Sequence, residues 1–236
     1  ENGKNVTDQY AISHDNGRVV ATRKDASKTP QGTVDLHTVF KLHSDVADKT
    51  VFVNNGSGAI NDETIATPSR TVTIFKQTAD KHWVEGDQVV DGKTFISGDK
   101  VTGQVSMSLP NPTTLAKPLS KVQIVDDYTN FKDKVDFVSA TVYENDQDVT
   151  SEYTITDANG KVTAVRKDAS KTPSGSAKLV VSWKVHQDVA SGTKLINAGS
   201  GTINGSTVKT PDRTIVTYSQ ETTKNWIEGN TVVNGK

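Results

Sequence analysis

The chain has 236 residues, a mass of 25.4 kDa, 27 Lys and Arg against 28 Asp and Glu, and a sequence pI near 6.6. That balance excludes a general nucleic-acid binder, which needs a clustered basic face. The absence of Cys excludes disulfides, thiol nucleophiles and thiolate metal sites, so any covalent reinforcement must come from other chemistry.

In chain order, the first informative feature is a duplication. Glu1-Asn2 returns as Glu144-Asn145, Arg23 to Pro30 returns whole as Arg166 to Pro173, and Trp83-Val84-Glu85-Gly86 returns as Trp226-Ile227-Glu228-Gly229. The offset is 143 throughout (166 − 23 and 226 − 83), so 1–93 matches 144–236 without a gap. Roughly half of the matched positions are identical. A period this long suits an independent domain rather than a solenoid unit. With its polar seam at Gln77-Thr78-Ala79-Asp80, the chain reads as a window on tandem repeats. Residues 1–78 are the C-terminal part of one repeat, 79–221 a complete repeat, and 222–236 the start of the next. A chain that opens at Glu1 without a signal peptide reads as an excised fragment. No apolar run approaches the ~20 residues of a membrane span.

Within the complete repeat the hydrophobic period is two. Val101 to Leu109 places Val105, Met107 and Leu109 on one face. Asn111 to Ser120 is the one plausible helix, kept short by Pro118. Val135 to Tyr143 places Val135, Phe137 and Tyr143 on one side, and Ala177, Leu179, Val181, Trp183 and Val185 alternate along one run. Turn signals at Asp91-Gly92, Asn159-Gly160, Pro173-Ser174-Gly175 and Asn204-Gly205 separate the runs. Many short strands at this spacing predict an all-β, antiparallel β-sandwich.

Catalytic signals are absent. His14, His37, His43, His82 and His186 show no metal-ligand spacing. Ser13-His14-Asp15 is contiguous in a turn, whereas a triad is assembled in space, and the second copy reads Thr156-Asp157-Ala158. Gly56-Ser57-Gly58 and Gly199-Ser200-Gly201 lack the Lys and following helix of a phosphate loop. Asn5, Asn55 and Asn204 open glycosylation-type triplets that read equally as polar turns. No cofactor is expected; turn Asp and Asn residues leave room for a structural Ca2+, without EF-hand spacing. The expectation is a protein that is not an enzyme.

Three segments carry a family resemblance: Val89-Val90-Asp91-Gly92-Lys93-Thr94, then Ile124-Val125-Asp126-Asp127-Tyr128, then Asn197 to Gly205. Together they resemble the C-terminal domains of streptococcal antigen I/II surface adhesins, whose related repeats occur in wall-anchored adhesins of Gram-positive bacteria. The resemblance implies a variant immunoglobulin-like sandwich with a Lys–Asn isopeptide bond promoted by a nearby Asp. It maps the crosslink onto Lys81 and Asn197 and the promoting acid onto Asp126, with Asp127 as runner-up. Asn204 is the runner-up for the Asn, since Gly201 stands where some members carry a second one. Lys224 and Asn54 are the equivalent positions in the flanking copies.

The chemistry asks for a neutral, nucleophilic amine and a protonated carboxyl that polarises the carboxamide, and burial supplies both. By residue type alone, Lys81 reads as a solvated lysine, Asn197 as a turn cap and Asp126-Asp127 as a surface pair. Lys93, in its Asp-Gly turn, reads as exposed. What the resemblance implies is an extracellular, LPXTG-type cell-wall-anchored surface protein whose repeats form a stalk. Its partners would be neighbouring repeats and, through the full-length protein, a host glycoprotein or other extracellular surface ligand; no nucleic acid and no membrane insertion are expected. The alternative is that each repeat is itself a carbohydrate- or host-protein-binding module. A module of that kind should repeat exposed aromatics, and only Tyr10/Tyr153 and Trp83/Trp226 repeat, while Phe40 becomes Trp183 and Phe52 becomes Leu195.

Overall fold

The alternating runs become strands in the computed structural model, which describes residues 1–222, 224–228 and 230–232. The chain divides into two units, Glu1–Ile74 and Phe75–Lys236. Among the described residues there is no α-helix, only short 3-10 turns, and thus no helix long and apolar enough to cross a membrane.

The first unit consists of three hairpin-like pairs. Strands β1 (Tyr10–Asp15) and β2 (Arg18–Arg23) pair across the Asn16-Gly17 turn. Strand β3 (Val51–Asn54) pairs with β6 (Arg70–Thr73), and β4 (Ser57–Ile60) pairs with β5 (Glu63–Ala66).

The second unit is an antiparallel sandwich of two sheets. Its strands are β7 (Ala79–Glu85), β8 (Gln88–Val89), β9 (Thr94–Ile96), β10 (Lys100–Leu109), β11 (Val122–Asp127), β12 (Val135–Glu144) and β13 (Gln147–Asp148). They continue with β14 (Tyr153–Ala158), β15 (Lys161–Arg166), β16 (Gly175–Val185), β17 (Lys194–Ile203), β18 (Ser206–Lys209) and β19 (Arg213–Tyr218). One sheet runs β13-β12-β16-β10-β7-β8; the other runs β14-β15-β11-β17-β19-β9, with β18 beside β17. Among the described residues, only β19 and β9 pair in parallel. A short hairpin, β20 (Ile227–Glu228) with β21 (Thr231–Val232), lies in the stretch assigned above to a next repeat. Thr223, Gly229 and 233–236, including the Lys236 that matches Lys93, fall outside the described residues.

Alternation fixes which side chains enter the core, because successive residues of a strand face opposite ways. From the first sheet come Trp83, Val101, Val105, Met107, Leu179, Val181 and Trp183; from the second, Val122, Ile124, Val162, Ala164, Leu195 and Ile215. Trp83, Trp183, Tyr128 and Phe131 form an aromatic cluster, with Trp83 and Trp183 ring centres 5.9 Å apart at an edge-on angle. Such pairs add roughly 0.5–1.5 kcal/mol beyond their burial.

Two expectations fail. The stretch Asn111 to Ser120 is not a helix: Pro112–Thr114 make a single 3-10 turn, begun by the Asn111 side chain accepting from Thr113 N at 3.0 Å. Local side-chain bonding of this kind competes with helix formation, and Pro118 removes a further donor. Tyr143 does not share a face with Val135. The register of β12 against β16 is regular from Val135 to Phe137 and shifts between Phe137 and Ser139, so Val142 and Glu144 turn inward in place of Tyr143. A bulge inverts parity beyond it.

Candidate functional site

Lys81 sits on β7 in the same strand parity as Trp83, and so points into the core. Asp126 on β11 follows Val122 and Ile124 inward, and Asn197 on β17 follows Leu195. All three have no exposed surface. Strands β7 and β17 belong to opposite sheets, so Lys81 and Asn197 face each other across the sandwich rather than along a hydrogen-bonded pair.

Asp126 joins them. Lys81 Nζ donates to Asp126 Oδ2 at 2.8 Å, and Asn197 Nδ2 donates to Asp126 Oδ1 at 2.6 Å and to the Asp127 carbonyl at 3.0 Å. Asn197 Oδ1 is buried without a hydrogen-bond partner. Lys81 Nζ also lies 5.6 Å from the Trp83 ring centre and 6.0 Å from that of Trp183. Burial pushes the Lys81 amine below its usual range, opposed in part by Asp126, and pushes the Asp126 carboxyl above its own, opposed in part by Lys81 and Asn197. Both shifts favour a neutral amine beside a neutral acid, since desolvation penalises each charged form.

The runner-up positions lie elsewhere. Asp127 faces outward, with Oδ2 2.9 Å from Lys161 Nζ and Oδ1 accepting from Thr129 N. Burial alone would raise its pKa, but the Thr129 and Lys161 contacts outweigh that and hold it low. Asn204 occupies a turn, where its Oδ1 accepts from Ser120 N at 2.7 Å and its Nδ2 donates to the Pro118 carbonyl. Lys93 is exposed in its turn. Asn54 is exposed on β3, paired with Arg70 as Asn197 is with Arg213. Lys224 is exposed, and its Nζ stands 5.6 Å from the Trp226 ring centre, repeating the Lys81–Trp83 contact. Among the described residues, no group of three or more His, Asp or Glu is arranged to hold a metal.

Sequence reasoning missed the brace behind Lys81. Arg213 Nε donates to the Lys81 carbonyl at 2.8 Å, and the Lys81 amide donates to Asp80 Oδ1. His82 lies between Asp91 (2.8 Å) and Asp80 (3.2 Å), while Asp91 Oδ1 takes the Trp83 amide at 2.7 Å. Together these contacts hold the backbone on both sides of Lys81. The only available signal was the acidic and basic crowding of Asp80-Lys81-His82 ahead of Asp91.

The site is a buried polar triad set between the two sheets of a sandwich. Residues 75–235 match the cell surface antigen I/II C2 terminal domain, and the chain belongs to that family. Its fold resembles the C-terminal domain of the Streptococcus agalactiae AgI/II polypeptide BspA, with 13% identity and TM-score 0.61 over 72% of this chain and 59% of that one. It also resembles the C-terminal domain of the Streptococcus pyogenes antigen I/II-family protein AspA, with 16% identity and TM-score 0.54 over 65% of this chain and 50% of that one. The major pilin subunit BcpA of Bacillus cereus is similar at 15% identity and TM-score 0.53, over 70% of this chain and 48% of that one. The chain therefore spans less than two thirds of each of these structures, and at such identities the likeness is one of fold. No curated protein matched. The domain is of the surface-adhesin structural class.

Proposed function

We propose that Phe75–Lys236 contains a stalk domain of a Gram-positive cell-wall-anchored adhesin, reinforced by an isopeptide bond between Lys81 and Asn197. The observation that carries this reading is the contact of Lys81, Asp126 and Asn197 through one carboxyl group, all three fully buried. Asp126 takes a proton from Lys81, and the freed Nζ lone pair attacks Asn197 Cγ. The protonated Asp126 stabilises the developing oxyanion and then returns its proton to Nδ2 as the Cγ–Nδ2 bond breaks, and its carboxylate takes the second proton from Nζ. Ammonia leaves, and a secondary amide remains. Hydrogen bonding to the oxygen requires the carboxamide to turn from the ground-state pose, in which Nδ2 faces Asp126.

The task of such a domain is mechanical: it projects a distal region that binds a host or surface ligand. Burial of the repeated aromatics supports the stalk over a binding module, because Trp83 is 0% and Tyr153 4% exposed and neither offers a platform. Residues 1–78 are read as the matching part of a preceding repeat. Their β3–β6 pairing of Phe52 with Val72 repeats the β17–β19 pairing of Leu195 with Ile215.

Intact mass of the folded chain tests the bond. A loss of one ammonia, with a branched Lys81–Asn197 peptide after digestion, is expected. An unchanged mass refutes the crosslink. Loss of water instead would assign the bond to Lys81 and Asp126.

A further inference from the structure

Gly103 lies in the middle of β10, directly opposite Trp83 on β7 and Val181 on β16. A mid-strand glycine weakens a strand and usually marks a close approach. Its φ lies outside the left-handed region, so turn geometry does not require it. Space does: a Cβ at this position would lie 2.4 Å from Lys81 Nζ, 3.0 Å from Trp183 Cζ3 and 3.1 Å from Asn197 Oδ1. The missing side chain therefore leaves open the volume between the amine and the carboxamide.

Two glycines on β17, the strand that carries Asn197, differ in what they face. A Cβ on Gly199 would strike Val105 Cγ2 at 2.6 Å and the Val125 carbonyl at 2.9 Å, and one on Gly201 would have Met107 Cβ, Sδ and Cε as its nearest neighbours, at 3.0, 3.0 and 3.2 Å. Those positions set how closely the sheets approach. Gly103 alone of the three opens onto both proposed reacting side chains.

We propose that Gly103 is a positioning residue for the Lys81–Asn197 reaction, keeping clear the path by which Nζ reaches Asn197 Cγ. The proposal rests on the crosslink reading above. A methyl group there must move either the amine or the carboxamide by a large fraction of an ångström, and a misplacement of about 1 Å can slow an oriented reaction by about 100-fold.

The test follows the whole chain, freshly translated in a cell-free system, by intact mass over time. In wild type the ammonia should be lost; if it is not, the crosslink reading itself fails, independently of Gly103. Given wild-type loss, Gly103→Ala should lose ammonia about 100-fold more slowly or not at all. Gly201→Ala, whose nearest neighbours are Met107 atoms and neither reacting side chain, should react at close to the wild-type rate. Reaction of Gly103→Ala at the wild-type rate overturns the proposal, as does equal slowing by Gly201→Ala.

Folding is monitored by near-ultraviolet circular dichroism of the Trp cluster. Should Gly103→Ala fail to fold, the Lys81→Ala/Gly103→Ala pair decides. Recovery of the fold once the long amine is removed supports a clash with Lys81. Failure of the double variant alongside a folded Lys81→Ala chain shows that Gly103 serves the Trp183 packing instead, and ends the proposal.

Discussion

Asp126 and Asp127 are adjacent on β11 and live in opposite environments. The first is fully buried between Lys81 and Asn197; the second is about one-third exposed and paired with Lys161. Strand alternation alone separates them, and it drives their acidities apart, Asp126 upward and Asp127 downward. Two like groups pushed in opposite directions mark which one can hold a proton.

The first prediction follows from that contrast. Asp126→Ala should block ammonia loss while Lys81 and Asn197 remain in place. Asp127→Ala should leave the reaction intact, since Asn197 contacts only its backbone carbonyl, and should cost at most about 1 kcal/mol for the partly exposed ion pair. Intact mass of the two variants distinguishes them.

A second prediction concerns pH. In Asp126→Ala the uncrosslinked Lys81 stays buried without its acid, so its folded pKa lies below the ordinary 10.5. Between that folded pKa and 10.5 the unfolded chain binds more protons than the folded one, so stability rises with pH across this window and levels off above it. Thermal melts from about pH 7 to about pH 10 should show the rise in the variant. Crosslinked wild type should lack it, because an amide nitrogen does not titrate.

Removing the bond should also lower stability. Lys81 and Asn197 are 116 residues apart (197 − 81), and closing a loop of ~100 residues restricts the unfolded chain by about 4–5 kcal/mol in the chain-entropy treatment. Lys81→Ala and Asn197→Ala should each lose the ammonia signature and melt well below wild type. Lys93→Ala, in an exposed turn, should keep both the bond and the melting temperature.

A second buried polar group stabilises the far end of the sandwich. Glu144 accepts from Tyr153 Oη at 2.7 Å and from Arg166 Nε at 2.7 Å and Nη2 at 3.1 Å. Arg166→Ala would leave the Glu144 carboxylate buried without its cation, at a cost of about 3–5 kcal/mol; Tyr153→Phe should cost about 1.5–3 kcal/mol, as a hydrogen bond to a charged group. Urea unfolding measures both. Tyr10 Oη donates to Glu1 at 2.6 Å, with Arg23 3.4 Å from the same carboxylate, in the same constellation at the repeat offset.

The last prediction tests the repeat. Phe40 is 67% and Val72 63% exposed, whereas their matches Trp183 and Ile215 are fully buried beneath strands contributed by 75–143. Joining a second copy of 75–143 ahead of Glu1 should bury those positions and bring a new Lys to Asn54. The chimera should lose two ammonia molecules, and its Asn54→Ala version only one.

Much of this architecture was legible because period-two alternation is local. The parity of Val101–Leu109 and Ala177–Val185, and the inward parity of Asp126 with Val122 and Ile124, needed no knowledge of partners. What escaped was non-local or hidden in a small residue. The bulge after Phe137 depends on the partner strand, and the 3-10 turn at Pro112 on one side-chain bond. The Arg213 brace spans 132 residues. Gly103 carried no signal beyond being a glycine within a strand, since the groups that need its vacancy come from β7 and β17. The Lys–Asp–Asn grouping came from family resemblance, because nothing in the types or spacing of those three residues requires that they meet.

The order of strands has a consequence for a domain under tension. With a bond from β7 to β17, everything from Lys81 to Asn197 is withheld from stretching, but Ala198 to Tyr218 lies outside the ring. Those 21 residues (218 − 197) include β19, held on one side by antiparallel β17 and on the other by parallel β9. A pull at the C-terminal end would load that strand first. If it gave way, about 70 Å of chain could pay out before the covalent stop. Such a tether has a fixed allowance of slack, able to absorb a sudden jerk and to wind back, while the ringed body stays folded and closed to proteases.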